Sequence, residues 1–179
     1  HAGFDSLKIN CVIQRGVNED QVLPLVAHFR GSGHVLRFIE YMDVGTCNGW
    51  RRERVVPSAE LRDRIAAHWP LRALDANYRG EVAERYAYDD GRGEVGFVSS
   101  VMALSCGDCH RARVSADGML YTCLFAGQGH ALRGVLARGE DALAARVADL
   151  WSKRADRYSE VRSEASTSRK HVEMYLVGG

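Results

Sequence analysis

Three of the five cysteines lie close together in the sequence: Cys106-Gly-Asp-Cys109 is followed, after thirteen residues, by Cys123. Two thiolates on one tight turn point to a common centre, and a hairpin that turns at Asp117-Gly118 would bring the third thiolate back to it. Clustered cysteines in a reducing compartment favour a metal site over disulfides. The spacing therefore predicts a metal centre held by Cys106, Cys109 and Cys123.

Four interpretations of this cluster remain open from the spacing alone. A structural zinc ion needs a fourth ligand, for which His110 and His130 are available. The run from Cys106 to His110 also matches C-x-x-C-H, the attachment motif of c-type haem, although haem is attached outside the cytoplasm. Three thiolates without a fourth can hold an iron–sulfur cluster that leaves one iron open to bind a substrate. The fourth interpretation is a set of unrelated buried thiols.

Basic side chains stand beside this cluster and inside two predicted strands. Arg111 and Arg113 follow Cys109 directly, and on a strand they would project to the same face. Two guanidinium groups beside a metal suit a polyanion such as a triphosphate, and a solvated strand face is the alternative. Lys8 and Arg37 each interrupt an apolar strand pattern. A charge in such a position needs a partner or the aqueous mouth of a barrel.

The elements predicted around these residues are those of an α/β protein. Residues 7–13 and 35–41 have strand patterns, and apolar residues at helical spacing over 22–29 lie between them. Together they predict a βαβ unit with parallel strands. Four further elements are expected: a helix over 58–69, a hairpin over 82–101, a hairpin over 111–125 and a helix around 143–151. We expect the charged, serine-rich stretch 153–170 to be mobile.

Composition excludes several classes of protein. Lys+Arg of 24 against Asp+Glu of 23 gives a net charge of +1, which argues against a dedicated nucleic-acid binder or a polybasic membrane anchor. No apolar run approaches the ~20 residues of a membrane span. We therefore expect a cytoplasmic protein with neither nucleic acid nor a membrane as a partner. Because the chain begins with His1 and soon enters a strand pattern, we also expect it to lack an amino-terminal portion.

Four segments occur in the same order as in a known family. They are Lys8-Ile-Asn-Cys-Val-Ile-Gln-Arg-Gly-Val-Asn18, Arg37-Phe-Ile-Glu-Tyr-Met-Asp-Val-Gly45 with Asn48-Gly-Trp50, Cys106-Gly-Asp-Cys-His-Arg-Ala-Arg113 with Cys123-Leu-Phe125, and the terminal Gly178-Gly179. Through them the chain resembles the carboxyl-terminal half of the GTP 3',8-cyclase family of molybdenum-cofactor biosynthesis, which are radical S-adenosylmethionine (SAM) enzymes. The family's C-x-x-x-C-x-x-C motif, which carries the SAM-cleaving cluster, does not occur in this sequence.

The resemblance implies roles for individual residues. Cys106, Cys109 and Cys123 would ligate an auxiliary 4Fe–4S cluster whose open iron binds the guanine of GTP, and Met42 would contact SAM. The remaining implied positions are Lys8, Arg37, Arg111, Ala112 and Arg113 at the GTP site, and Gly178 and Gly179 as a catalytic tail in the active site. Glycine suits such a tail because it lacks a side chain and permits close backbone approach.

The resemblance also implies the fold. Residues 1–55 would supply the last βα elements of an incomplete TIM-like barrel, and residues 56–179 an α+β extension that carries the iron–sulfur cluster. In the family reaction a 5'-deoxyadenosyl radical from SAM abstracts the hydrogen at C3' of GTP, and the carbon radical attacks C8 of guanine. The product is (8S)-3',8-cyclo-7,8-dihydroguanosine 5'-triphosphate.

The implied partners are GTP, SAM and the missing amino-terminal half, which would hold a second 4Fe–4S cluster. A homodimer is a further candidate assembly. Alone, the chain is expected to be inactive and prone to aggregate, because it would lack a radical initiator and expose open strand edges. The alternative from a different class is a non-catalytic zinc-binding module that uses Cys106, Cys109, Cys123 and a histidine.

Overall fold

A computed structural model describes residues 3–99, 101, 106, 109–156, 158 and 171–176. These residues form two compact units. The first unit contains the described residues before Asp43 and those from Trp50 to Val101, and the second contains the rest. Gly178 and Gly179, predicted to form the catalytic tail, lie outside the described residues, as does most of the stretch 153–170.

The first unit is a five-stranded mixed sheet with two helices. Its elements are β1 (Lys8–Ile13), α1 (Val22–Phe29), β2 (Val35–Glu40), α2 (Ser58–Ala66), β3 (Leu71–Leu74), β4 (Glu84–Tyr88) and β5 (Glu94–Val98). The strand order is β1-β2-β5-β4-β3, with β1, β2 and β5 parallel to one another and β4 antiparallel to both β5 and β3. The predicted βαβ unit and the predicted hairpin of β4 and β5 are therefore confirmed. Strand β3 was not predicted.

Strand alternation separates a packed face of this sheet from a more open one. Leu36 and Phe38 of β2 are buried in one cluster with Val26 of α1 and Ile65 of α2. Each such side chain stabilises the fold by roughly 1.5–3 kcal/mol through the removal of apolar surface from water. Because successive side chains of a strand point to opposite faces, Arg37 lies on the face away from the helices.

Glu40, the last residue of β2, is an acid with only 1% of its surface exposed. Its Oε1 accepts a hydrogen bond from the backbone N–H of Ser58 at 2.9 Å, and its Oε2 accepts one from the backbone N–H of Val101 at 2.9 Å. Ser58 begins α2, so the carboxylate also meets the positive end of a helix dipole. Glu40 thus fastens α2 and the segment after β5 to the end of β2.

The second unit contains a small antiparallel sheet and a longer helix. Its elements are β6 (Arg113–Val114), β7 (Met119–Tyr121), β8 (His130–Ala131), α3 (Arg133–Leu136) and α4 (Glu140–Ser152), with the strand order β6-β7-β8. The hairpin of β6 and β7 turns through Gly118, whose φ of +80° favours glycine. This hairpin and α4 confirm the predictions, whereas the short elements β8 and α3 were not predicted.

The observed architecture is a mixed α/β fold, as the sequence predicts. The incomplete barrel, the iron–sulfur cluster and the domain boundary at residue 55 stay predictions. Among the residues that the structure describes, none of the helices is long and apolar enough to cross a membrane.

The substitution Glu40→Gln should destabilise the fold. Its amide keeps one acceptor oxygen but presents an N–H group to a buried backbone N–H, which leaves a polar group unsatisfied at a cost of about 1–3 kcal/mol. Thermal or urea unfolding followed by circular dichroism would measure this loss. Glu84→Gln, a change at an exposed position on β4, is the control and should shift the free energy of unfolding by less than about 0.5 kcal/mol. Equal stability of the two variants would contradict the role given to Glu40.

Candidate functional site

Local turns in the second unit position the three cysteines. The backbone N–H of Cys109 donates to the carbonyl of Cys106 at 3.2 Å, which closes the predicted tight turn between them. Strand β7 then ends at Tyr121, two residues before Cys123. All three cysteines are half-buried and free of disulfides. The turn and the hairpin are therefore the two devices that present these thiols.

Electrostatic coupling indicates that the thiols share one neighbourhood. Burial is the main cause that raises the pKa of Cys123, and the negative charges of Asp156 and Cys106 raise it further. Burial likewise lowers the pKa of Arg113, while the negative charges of Cys109 and Cys123 act to raise it. The structure thus brings the predicted ligands within electrostatic range of one another and of a predicted anion-binding residue.

Arg111 contacts one of these sulfurs directly. Its Nε and Nη2 donate to the Cys109 Sγ at 3.3 and 3.2 Å. Burial acts to raise the pKa of Cys109, but hydrogen bonds from Arg111 and the positive charges of Arg111 and Arg154 outweigh it, so that this pKa is lowered. A thiolate is the form of cysteine that binds metals, and Arg111 stabilises that form. Because β6 begins only at Arg113, Arg111 lies in the preceding loop and not on the strand as predicted.

Arg113 is a half-buried cation. Besides burial, the positive charge of Arg111 lowers its pKa. Within the described ranges no acidic side chain forms an ion pair with Arg113. Ala112, between the two arginines, is exposed and adds no bulk. A partly desolvated guanidinium without an acidic partner is suited to bind a carboxylate or a phosphate.

The donor chemistry of this cluster fits an iron–sulfur group. Three unpaired thiols, one of them held towards the thiolate form, are the ligands that such clusters take. Within the part of the chain that the structure describes, no three His, Cys, Asp or Glu side chains are already arranged around a metal position. His110 and His130, the two candidates for a fourth zinc ligand, are both exposed.

Arg154 is a residue of this neighbourhood that sequence reasoning missed. Its Nη1 donates to the carbonyl of Cys109, its Nε lies 3.5 Å from an oxygen of Asp156, and its guanidinium lies 4.8 Å from the centre of the Trp151 ring. Thr122 in turn donates to Asp156 at 2.5 Å. The spacing of Trp151 and Arg154, three residues apart at a helix end, was the available signal. Arg154 and Asp156 belong to the stretch predicted to be mobile, yet both make specific contacts.

Lys8, Arg37 and Met42 belong to the first unit. Lys8 and Arg37 lie on the same face of the sheet, the face away from the helices, because the parallel register pairs Lys8 with Val35. Arg37 Nη2 lies 3.8 Å from a carboxylate oxygen of Glu81, whose side chain is 1% exposed. Met42 is half-buried and follows β2 by two residues.

Gly96 on β5 makes room for Arg37. The two residues are in register on neighbouring strands. A Cβ atom at Gly96 would lie only 3.1 Å from the Cγ atom of Arg37. Glycine at this position therefore allows the arginine side chain to cross the neighbouring strand and reach Glu81.

Comparison with known proteins agrees with the predicted resemblance. Residues 34–160 match the family model described as Molybdenum Cofactor Synthesis C. A protein of Xanthomonas campestris pv. campestris (strain B100) named GTP 3',8-cyclase is 72% identical over 178 residues, which cover 99% of this chain and 52% of that protein.

More distant relatives carry the same name. One from Acidothermus cellulolyticus (strain ATCC 43068 / DSM 8971 / 11B) is 50% identical over 205 residues, covering 99% of this chain and 57% of the relative. One from Synechococcus sp. (strain CC9605) is 48% identical over 182 residues, covering 99% and 52%. The chain spans about half the length of the curated relatives it matches. With most of its residues covered by the family model, the chain belongs to the Molybdenum Cofactor Synthesis C family.

Proposed function

We propose that this chain is the cluster- and GTP-binding portion of a GTP 3',8-cyclase. In this proposal the enzyme converts GTP, with SAM, to (8S)-3',8-cyclo-7,8-dihydroguanosine 5'-triphosphate for molybdenum-cofactor synthesis. The names of the relatives support the reaction. Their greater length supports a further portion of the enzyme. The proposal assigns to that portion the cleavage of SAM and a second 4Fe–4S cluster, without which this chain would be inactive.

The contact between Arg111 and the Cys109 sulfur is the observation that carries the proposal. The Cys109 thiolate can bind a metal and the Arg111 guanidinium can bind an anion, and the two residues are only two positions apart in the sequence. Arg113, electrostatically coupled to Cys109 and Cys123, adds a second cation at the same place. A nucleoside triphosphate presents both a base that can coordinate a metal and a polyanionic tail, so it suits such a site.

The three cysteines would hold the auxiliary 4Fe–4S cluster through their sulfurs. When bound, the cluster supplies an iron with an open position to which a purine can coordinate. Arg113 would bind phosphate oxygens through its paired N–H groups, and Arg111 would do so through the N–H groups that do not face the Cys109 sulfur. The small Ala112 leaves space between them. Holding the nucleotide at both ends restricts the distance between its C3' and C8 atoms, which is the distance that the reaction closes.

The proposal also gives roles to residues of the first unit. Lys8 is exposed on β1 and provides a positive charge for GTP. Arg37 is already paired with Glu81. This ion pair orients the Arg37 guanidinium and offsets much of its positive charge. Met42 contacts SAM, and the terminal Gly178 and Gly179 approach the reacting atoms closely.

A zinc-binding module is the competing function, and metal analysis separates the two. The chain prepared anaerobically should contain about four irons and four sulfides per molecule. Cys123→Ser should lose most of this iron because one ligand is removed. Cys11→Ala, which changes a cysteine on β1, should keep it. One zinc without sulfide would contradict the cyclase proposal in favour of the module, and a Soret band would do so in favour of haem.

Arg113→Gln should weaken GTP binding. Loss of a charge-assisted hydrogen bond to phosphate should raise the Kd for GTP about tenfold or more, whereas guanosine, which has no phosphate, should bind as before. Isothermal titration of the cluster-loaded protein measures both affinities. Arg138→Gln, at an exposed position of the same unit, should leave both unchanged. A similar loss for GTP and guanosine would show that Arg113 does not bind the phosphates.

A further inference from the structure

The segment that leads to the terminal glycines is held at three successive residues. His171 is 7% exposed, and its Nδ1 lies 3.1 Å from the carbonyl oxygen of Asp43. The backbone N–H of Val172 donates to the carbonyl of Ala126 at 3.1 Å. Glu173 binds the loop that follows Met42. Three anchors on neighbouring residues fix this short segment, although it contains only a single 3-10 turn, Met174–Leu176.

Glu173 makes the most extensive of these contacts. Its Oε1 accepts hydrogen bonds from the backbone N–H of Thr46 at 2.7 Å and from the Thr46 hydroxyl at 2.5 Å. Its Oε2 accepts one from the thiol of Cys47 at 3.1 Å. These bonds lower the pKa of Glu173, with the Thr46 hydroxyl as the largest cause, and favour its ionised form. One carboxylate therefore satisfies three donors of a single loop.

Gly45 shapes the loop around this carboxylate. Its φ is +69°, a conformation that side-chain-bearing residues rarely adopt. A Cβ atom at this position would also clash with the Glu173 Oε2. Gly45, Thr46 and Cys47 together with Glu173 are called the carboxylate clamp below. The lack of a side chain at Gly45 leaves room for the Glu173 carboxylate, and the three hydrogen-bond donors of Thr46 and Cys47 match its negative charge.

We propose that the carboxylate clamp positions the terminal Gly178 and Gly179. This inference rests on the proposed function, in which those glycines approach the reacting atoms. The backbone N–H of Leu176 donates to the carbonyl of Glu173 at 3.0 Å, so the clamp also fixes the end of the described segment. Gly179 follows Leu176 by three residues, which span at most about 11 Å. Anchoring Leu176 therefore limits the space that Gly178 and Gly179 can sample. Glu173 is thus a positioning residue that does not touch the substrate.

Three variants of the intact enzyme test the clamp from both sides. Glu173→Ala removes every hydrogen bond, and Glu173→Gln keeps the shape but lacks the second acceptor oxygen. Gly45→Ala acts from the loop and forces the carboxylate out. Glu53→Gln, at an exposed carboxylate in the 3-10 turn Arg52–Arg54, is the control for loss of a surface charge.

Two readouts report on the clamp without any turnover. Amide hydrogen exchange of Thr46 and of residues 171–176 should become roughly tenfold faster in Glu173→Ala and Gly45→Ala, because hydrogen-bonded amides are released. In Glu173→Ala and Glu173→Gln, alkylation of Cys47 at pH 8 should become roughly threefold faster. The hydrogen bond and the negative charge of Glu173 raise the pKa of Cys47, and the thiolate is the reacting form.

Activity then tests the positioning role. Glu173→Ala should lower kcat about tenfold or more, with iron content and the Kd for GTP unchanged, and Glu53→Gln should match the parent. Unchanged exchange and alkylation would overturn the clamp itself. Faster exchange with unchanged kcat would overturn its role in positioning the glycines. An inactive parent enzyme would instead refute the proposed function and, with it, the positioning role of Glu173. Amide hydrogen exchange would still show in that case whether the carboxylate clamp forms.

Discussion

The charge of one ionised thiol opposes the ionisation of the next, and the positive charges beside the cysteines of the second unit offset this opposition. Burial is the main cause of the raised pKa of Cys123, and the negative charge of Cys106 adds to it. Arg111 and Arg154, by contrast, lower the pKa of Cys109 against the effect of burial. Of the guanidinium groups beside the thiols, those of Arg111 and Arg113 form no ion pair with an acidic side chain among the described residues. An anionic ligand can use them, so the features that make the cysteines good metal ligands also make the site attractive to phosphates.

The first unit separates its scaffold from its charged residues by strand alternation alone. On β2, Leu36 and Phe38 face the helices, and Arg37 faces the other way. Glu40 is the exception, a buried acid on the packed face, and its charge is met by two backbone N–H groups and a helix N-terminus. It therefore serves the fold, while Arg37 and Lys8 remain on the face that the scaffold leaves open.

The parts of the structure that could be predicted are those set by local patterns. Apolar periodicity gave the βαβ unit, and the Asp117-Gly118 turn located the hairpin that leads to Cys123. Strands β3 and β8 escaped prediction because two to four residues carry no periodicity. The carboxylate clamp escaped it because Glu173 and Thr46 are 127 residues apart, and neither residue type is unusual at its position. A contact between residues so distant in the sequence forms only in the folded chain, and neither the segment around Thr46 nor the segment around Glu173 contains a pattern that predicts it.

The most direct test of the account is the electron paramagnetic resonance spectrum of the chain, loaded anaerobically with iron and sulfide, reduced, and recorded with and without GTP. A cluster held by three cysteines has an iron that can accept the nucleotide. The account predicts an iron–sulfur signal whose g values shift when GTP is added and do not shift when inorganic triphosphate replaces it. A signal that GTP leaves unchanged, or no iron–sulfur signal at all, would contradict the claim that these cysteines build a GTP-binding metal centre.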